Sequence, residues 1–168
     1  MTQTKNEKQI EWCLRKAIDQ GRKHKGLRKV EPNKEMAQKH LEKAKRNLQL
    51  VEHLVSLGYA DWAVSSIFYA LYHSLLAITW HYGYESRNQT CTFAIVEQLI
   101  LEKKLDITFA DLQEIRENSD AQDDTFVGMR EYYQYGTDTE VEADKLAAIR
   151  QKANEFVTKV RIMLSGRN

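Results

Sequence analysis

Apolar residues recur along much of the chain at the spacing of an α-helix. Between residues 37 and 55 they fall at Ala37, Leu41, Ala44, Leu48, Val51 and Val55, steps of 4, 3, 4, 3 and 4 that build one stripe. Asn33 stands just after Pro32, where an N-cap belongs, and Gly58 is a fitting stop. Leu146, Ile149, Ala153, Phe156, Val160 and Met163 repeat the pattern near the C-terminus, and Gly166 ends it. Thr139 with Glu142 has the spacing of a capping box ahead of that helix. Thr108 with Asp111 resembles another, opening a helix through Leu112 and Ile115. Residues 4–20 predict a shorter amphipathic helix through Ile10, Leu14, Ala17 and Ile18. Residues 91–104 predict one with Phe93, Val96, Leu99 and Ile100 inward, and residues 129–135 a short one stopped by Gly136. Acidic and polar residues interrupt the pattern at 118–125.

The stretch from Trp62 to Tyr84 is different, because it holds no Asp, Glu, Lys or Arg. Asp61 can cap it, and it should end at Gly83. It is about as long as a membrane span. It also carries Ser65, Ser66, His73, Ser74, Thr79 and His81, and it is rich in aromatic residues. A helix apolar all round is equally the central helix of a bundle, and that is the reading adopted, with no membrane partner. No segment alternates with period two over a strand length. The expected architecture is an all-α, antiparallel up-and-down bundle of four or five helices over residues 33–168. A basic N-terminal helix or arm, residues 1–32, precedes it.

Composition changes this picture little. A chain of 168 residues is one domain. Its two cysteines, Cys13 and Cys91, are too few for a disulfide framework and not spaced as a zinc site. With no hydrophobic signal segment at the N-terminus, the cytoplasm is the default location. Charge is more telling. Residues 1–50 hold 14 Lys/Arg against 6 Asp/Glu, and residues 51–168 hold 11 against 18. The basic run is densest from Arg22 to Lys29. Such a run attracts phosphates, but no aromatic residues interleave with it, which favours a solvated face or a flexible arm.

Candidate chemistry is sparse. There is no Gly-rich phosphate loop, nucleophile elbow or His-Glu-x-x-His. The histidines at 24, 40, 53, 73 and 81 show no ligand spacing, and no Glu-x-x-His pair faces inward. No metal, cofactor or catalytic residue is assigned on these grounds. Two polar clusters remain. The loop Arg87-Asn88-Gln89-Thr90-Cys91 combines a guanidinium, amides and a hydroxyl at a helix start. It suits an anion, or it caps the following helix. Arg130-Glu131-Tyr132-Tyr133-Gln134-Tyr135 sets one arginine among three tyrosines. Arg130 pairs with a phosphate there, or it bridges to a carboxylate inside the bundle.

Three features of the chain resemble the HEPN superfamily of small helical-bundle proteins. A charged helix containing Lys39-His40-Leu41-Glu42-Lys43-Ala44 leads to Gly58-Tyr59-Ala60-Asp61-Trp62-Ala63. Ser65-Ser66-Ile67-Phe68-Tyr69-Ala70-Leu71-Tyr72-His73 is similar to the family's Ser-x-Tyr-Tyr-Ala-hydrophobic-Phe-His-Ala segment. Arg130-x4-Tyr135-Gly136 looks like the Arg-x4-Tyr pattern of one subgroup. The resemblance covers about residues 35–165. It implies an antiparallel bundle, commonly a homodimer. Many members are metal-independent ribonucleases, often toxins beside a nucleotidyltransferase antitoxin, and others bind nucleotides or RNA without cleavage. The ribonucleases use Arg-x4–6-His late in the bundle, the arginine holding phosphate and the histidine helping proton transfer. Here Tyr135 stands in the histidine's place. Tyrosine, with a pKa near 10, is a poor general base at neutral pH. Two functions are therefore expected: a nucleotide- or RNA-binding module working with a nucleotidyltransferase-type partner, or a ribonuclease toxin with a modified site. The ligand-binding candidates are Arg130 and Tyr135, the loop residues Arg87, Asn88 and Gln89, and Tyr69 and His73 of the middle segment.

Overall fold

A computed structural model describes residues 3–116 and 125–166. The polar interruption expected at 118–125 lies almost wholly outside the described residues. Seven α-helices are described: α1 (Lys5–Gln20), α2 (Lys34–Ser56), α3 (Ala60–His81), α4 (Gln89–Leu101), α5 (Phe109–Ile115), α6 (Phe126–Tyr135) and α7 (Ala143–Ser165). Two three-residue strands, β1 (Leu27–Lys29) and β2 (Tyr84–Ser86), pair antiparallel, Leu27 opposite Ser86 and Lys29 opposite Tyr84. The fold is mostly α-helical, as expected, with seven described helices where an N-terminal helix or arm and a bundle of four or five were expected, and with a small two-stranded sheet that was not.

Local chemistry sets most of the boundaries. The Asn33 side chain accepts the Met36 N–H at 2.9 Å and starts α2. Gly58, at φ 84°, turns the chain from α2 into α3 in a left-handed conformation that costs glycine nothing. Gly83, at φ 80°, plays the same part after α3. Thr108 and Asp111 form the expected capping box. Several boundaries differ from expectation; α4 opens at Gln89 rather than Cys91 and α6 at Phe126 rather than Met129. α3 starts at Ala60 without a side-chain cap, so Asp61 lies in its first turn. α4 stops at Leu101 because Lys103 turns left-handed, at φ 56°. α7 begins at Ala143, three residues too late for a Thr139–Glu142 capping box to close.

α3 is the central helix. By length and composition it could cross a membrane, yet 78% of its apolar window is buried inside the fold. Ile67, Phe68, Leu71, Leu75 and Ile78 are essentially inaccessible among residues of α2, α4, α6 and α7. Each such side chain contributes about 2 kcal/mol relative to exposure.

The N-terminal segment is docked. α1 lies against α4, and β1 runs along β2. Cys13, Leu27, Cys91 and Ile95 form a second small core, with Ile10, Leu14 and Tyr84 against it. Within it Cys13 and Cys91 form a disulfide, their Cα atoms 5.8 Å apart. The basic run 22–29, read as a solvated face or a flexible arm, is thus a turn and an edge strand with a buried leucine. A strand of three residues is too short to display a period of two.

Candidate functional site

Arg130 is set by two helices. Thr125 caps α6 by accepting the Gly128 N–H at 3.1 Å, and α6 packs on α3. This carries the guanidinium over the ring of Phe68, with Cζ 4.5 Å from the ring centre. The side chain is only 12% exposed. Among the described residues its one ionic contact is with its chain neighbour, Nη2 donating to Glu131 Oε1 at 3.2 Å. Its Nε is buried and has no acceptor among the described residues. A buried N–H without an acceptor costs about 1–3 kcal/mol. The arginine is therefore a cation held in place with an unused donor, the feature an anionic oxygen would satisfy.

Aromatic rings continue from it. Phe68 stacks on Tyr72, with centroids 5.9 Å apart, and meets Tyr69 edge-on at 5.3 Å. Tyr69 is part-exposed. The Tyr72 hydroxyl lies 3.2 Å from Thr92 Oγ1. Burial pushes the Tyr72 phenol above its ordinary range, against the opposing effect of that hydrogen bond. Tyr72 stays neutral near pH 7.

Tyr135 and His73 lie on other faces of their helices. Five residues along an α-helix turn a side chain by about 140°. Tyr135, five residues after Arg130 and at the end of α6, is 75% exposed and points elsewhere. His73, five residues after Phe68 on α3, faces α2 instead. Its Nδ1 lies 2.9 Å from Nδ1 of His40, one ring donating and the other accepting. Burial first, then the charges of His40 and Lys43, push His73 down to about 4. Burial and Lys43 lower His40 as well. Both rings are neutral at pH 7.

The loop after β2 is tied inward. Arg87 pairs with Glu85 at 2.6 Å and donates to the Arg22 carbonyl at 2.9 Å. Asn88 accepts the Cys91 N–H at 3.1 Å, which makes it the N-cap of α4, and Gln89 opens that helix. Glu85 also faces His24 at 3.5 Å and Arg28 at 3.9 Å. Burial would raise its carboxyl, but hydrogen bonds from Arg87 and His24 outweigh that and hold it below the usual range. Arg87 and Asn88 thus stitch the N-terminal segment to the bundle. Among the described residues no three His, Cys, Asp or Glu side chains gather as a metal site would require.

Sequence reasoning missed the His40–His73 pair and the Cys13–Cys91 bridge. His40 lies between Ala37 and Leu41 at the edge of the α2 stripe, which hints that it faces α3. Nothing in two cysteines 78 residues apart signals that they meet.

Residues 37–163 match the HEPN domain family, and the chain belongs to it. HEPN is a superfamily associated with nucleotide and RNA binding and with ribonuclease activity. No curated protein matches the chain.

Proposed function

We propose that this HEPN protein binds the phosphate of a nucleotide or an RNA through Arg130 and is not an efficient ribonuclease. The observation that carries the reading is the Arg130 guanidinium, fixed over Phe68 with a buried Nε that lacks an acceptor among the described residues. Tyr69, beside Phe68 and part-exposed, offers a ring for a base to stack on. Two observations speak against proton transfer here. Tyr135 replaces the expected histidine and points away from Arg130. His73, the nearest histidine in sequence to Phe68, faces α2 and is engaged with His40.

The protein acts as a homodimer and with a nucleotidyltransferase-type partner in this reading, as its family resemblance implies. The exposed Trp62, 57% accessible on α3 about two turns from Tyr69, is an apolar surface suited to a second copy.

The test compares wild type with Arg130→Ala. Fluorescent ATP and short RNAs are titrated, and RNA cleavage is assayed in EDTA. The expected result is binding by wild type, at least tenfold weaker binding by the variant, and cleavage by neither. Cleavage by wild type that vanishes in the variant would establish the ribonuclease reading instead. Equal binding by both proteins would remove Arg130 from any site.

A further inference from the structure

The groove between α2 and α7 has no part in the reading above. Its volume is about 810 Å3. It is lined on α2 from Gln38 to Gln49 and on α7 from Ala147 to Arg161, about 16 Å and about 21 Å along the two axes. Glu52, late in α2, pairs with Arg150, early in α7, at 2.9 Å, so the helices run antiparallel and the groove is a trough between them.

The floor of the trough is apolar. Leu41 and Leu48, two helical turns apart on α2, and Val157 of α7 line it, each largely buried. The walls are polar and carry more positive than negative charge. Lys45 on one wall and Arg161 on the other have no ion-pair partner among the described residues, whereas Arg150 is neutralised by Glu52. Glu42 is the one carboxylate that lines the groove. No aromatic side chain lines it.

We infer that the α2–α7 groove docks an acidic amphipathic helix of a protein partner. Length, floor and charge each select that occupant. The trough accommodates about three turns of helix. Leucines two turns apart receive an apolar stripe that recurs with the same spacing. Uncompensated cations on both walls complement carboxylates on both flanks of such a stripe. A single-stranded nucleic acid would satisfy the cations, but it would find no ring to stack on and would leave the apolar floor unused. The inference does not depend on phosphate binding at Arg130, which lies on α6.

Fluorescence anisotropy on the intact protein tests it. One labelled 18-residue probe peptide carries a leucine stripe flanked by glutamates, and a second carries lysines in place of the glutamates. Oligo(U) RNA is the third probe. The expected result is saturable binding of the acidic peptide, at least tenfold tighter than the basic one. Lys45→Glu/Arg161→Glu should invert that preference while keeping the helical circular dichroism of wild type. Ala147→Trp, which fills the groove without changing charge, should weaken the acidic peptide, and Arg130→Ala should leave it unaffected. Equal affinity for the two peptides, or a preference that survives the charge reversal, would overturn the inference. RNA binding lost in the charge-reversed variant without peptide binding in wild type would assign the groove to RNA and overturn it equally.

Discussion

Two side chains on opposite sides of α3 show how residue-scale chemistry divides this molecule. Arg130 gains from the Phe68 ring, a contact of about 0.5–2 kcal/mol. It also leaves an N–H without an acceptor, at about 1–3 kcal/mol. The two effects nearly cancel, so Arg130→Ala should change the urea midpoint little while weakening nucleotide or RNA binding. A large stability loss with unchanged binding would mark the arginine as a packing element. His73 makes a different prediction. Its value falls from 6.5 in the unfolded chain to about 4 in the fold. Between those pH values the unfolded state binds more protons, so stability is lost as pH falls through that window. His40, also lowered, adds in the same direction. Denaturation at pH 7.5, 5.5 and 4.5 should show this slope, and it should flatten in His73→Gln. An unchanged slope in that variant would mean that other groups govern the acid limb.

At the scale of elements, α1 and β1 dock through a small core of their own, and that attachment is reinforced covalently. The Cys13–Cys91 bridge spans 78 residues, and cross-links of that kind stabilise by about 2–4 kcal/mol. Cys13→Ser/Cys91→Ser, or a strong reductant on wild type, should lower stability by that order in denaturant titrations. An effect within error would mean that the small core around Leu27 and Ile95 holds α1 unaided. Disulfides persist away from reducing thiols, so the compartment decides how far this stabilisation operates. Gly26 adds a packing constraint. A Cβ there would meet the Cys13 carbonyl and the Ala17 backbone, neither of which can swing aside. Gly26→Ala should therefore lower stability by about 1–3 kcal/mol and speed proteolysis of the N-terminal segment before it affects the bundle. Unchanged stability and proteolysis in that variant would show that the close approach relaxes at little cost.

Across the whole molecule, what the sequence reveals follows from how far each signal reaches. The α2 and α7 stripes were legible because 3.6-residue periodicity is a local record of which face is buried; Ala37, Leu41, Ala153 and Val160 all lie inward. The Thr108–Asp111 box was legible for the same reason, since both partners lie within one turn. The Thr139–Glu142 box failed because its pattern fits equally well outside a helix. Long-range pairings left no local record, so neither the His40–His73 contact nor the β1–β2 ladder was foreseen. In the candidate site, Arg130 is legible as one arginine among three tyrosines and again in the family resemblance, but its separation from Tyr135 and His73 follows from the rotation of α6 and α3.

That arrangement also decides where a second copy would sit. α3 is covered by α2, α6 and α7 along most of its length, yet Trp62 and Tyr69 remain accessible on one edge. Leu57 and Tyr59, in the turn just before α3, are exposed beside them in sequence. Large apolar side chains grouped on a surface mark an interface more often than isolated ones do. Trp62→Asp places a charge there without entering the core. In the homodimer reading, wild type should sediment as a dimer at micromolar concentration and Trp62→Asp as a monomer with the same helical content. Because Tyr69, about two turns from Trp62 on α3, meets Phe68 edge-on, the monomeric variant should also bind RNA more weakly than wild type. A wild-type protein that sediments as a monomer would sink the dimer. A variant that remains dimeric would move the interface off this edge of α3 and leave Tyr69 free for the ligand alone.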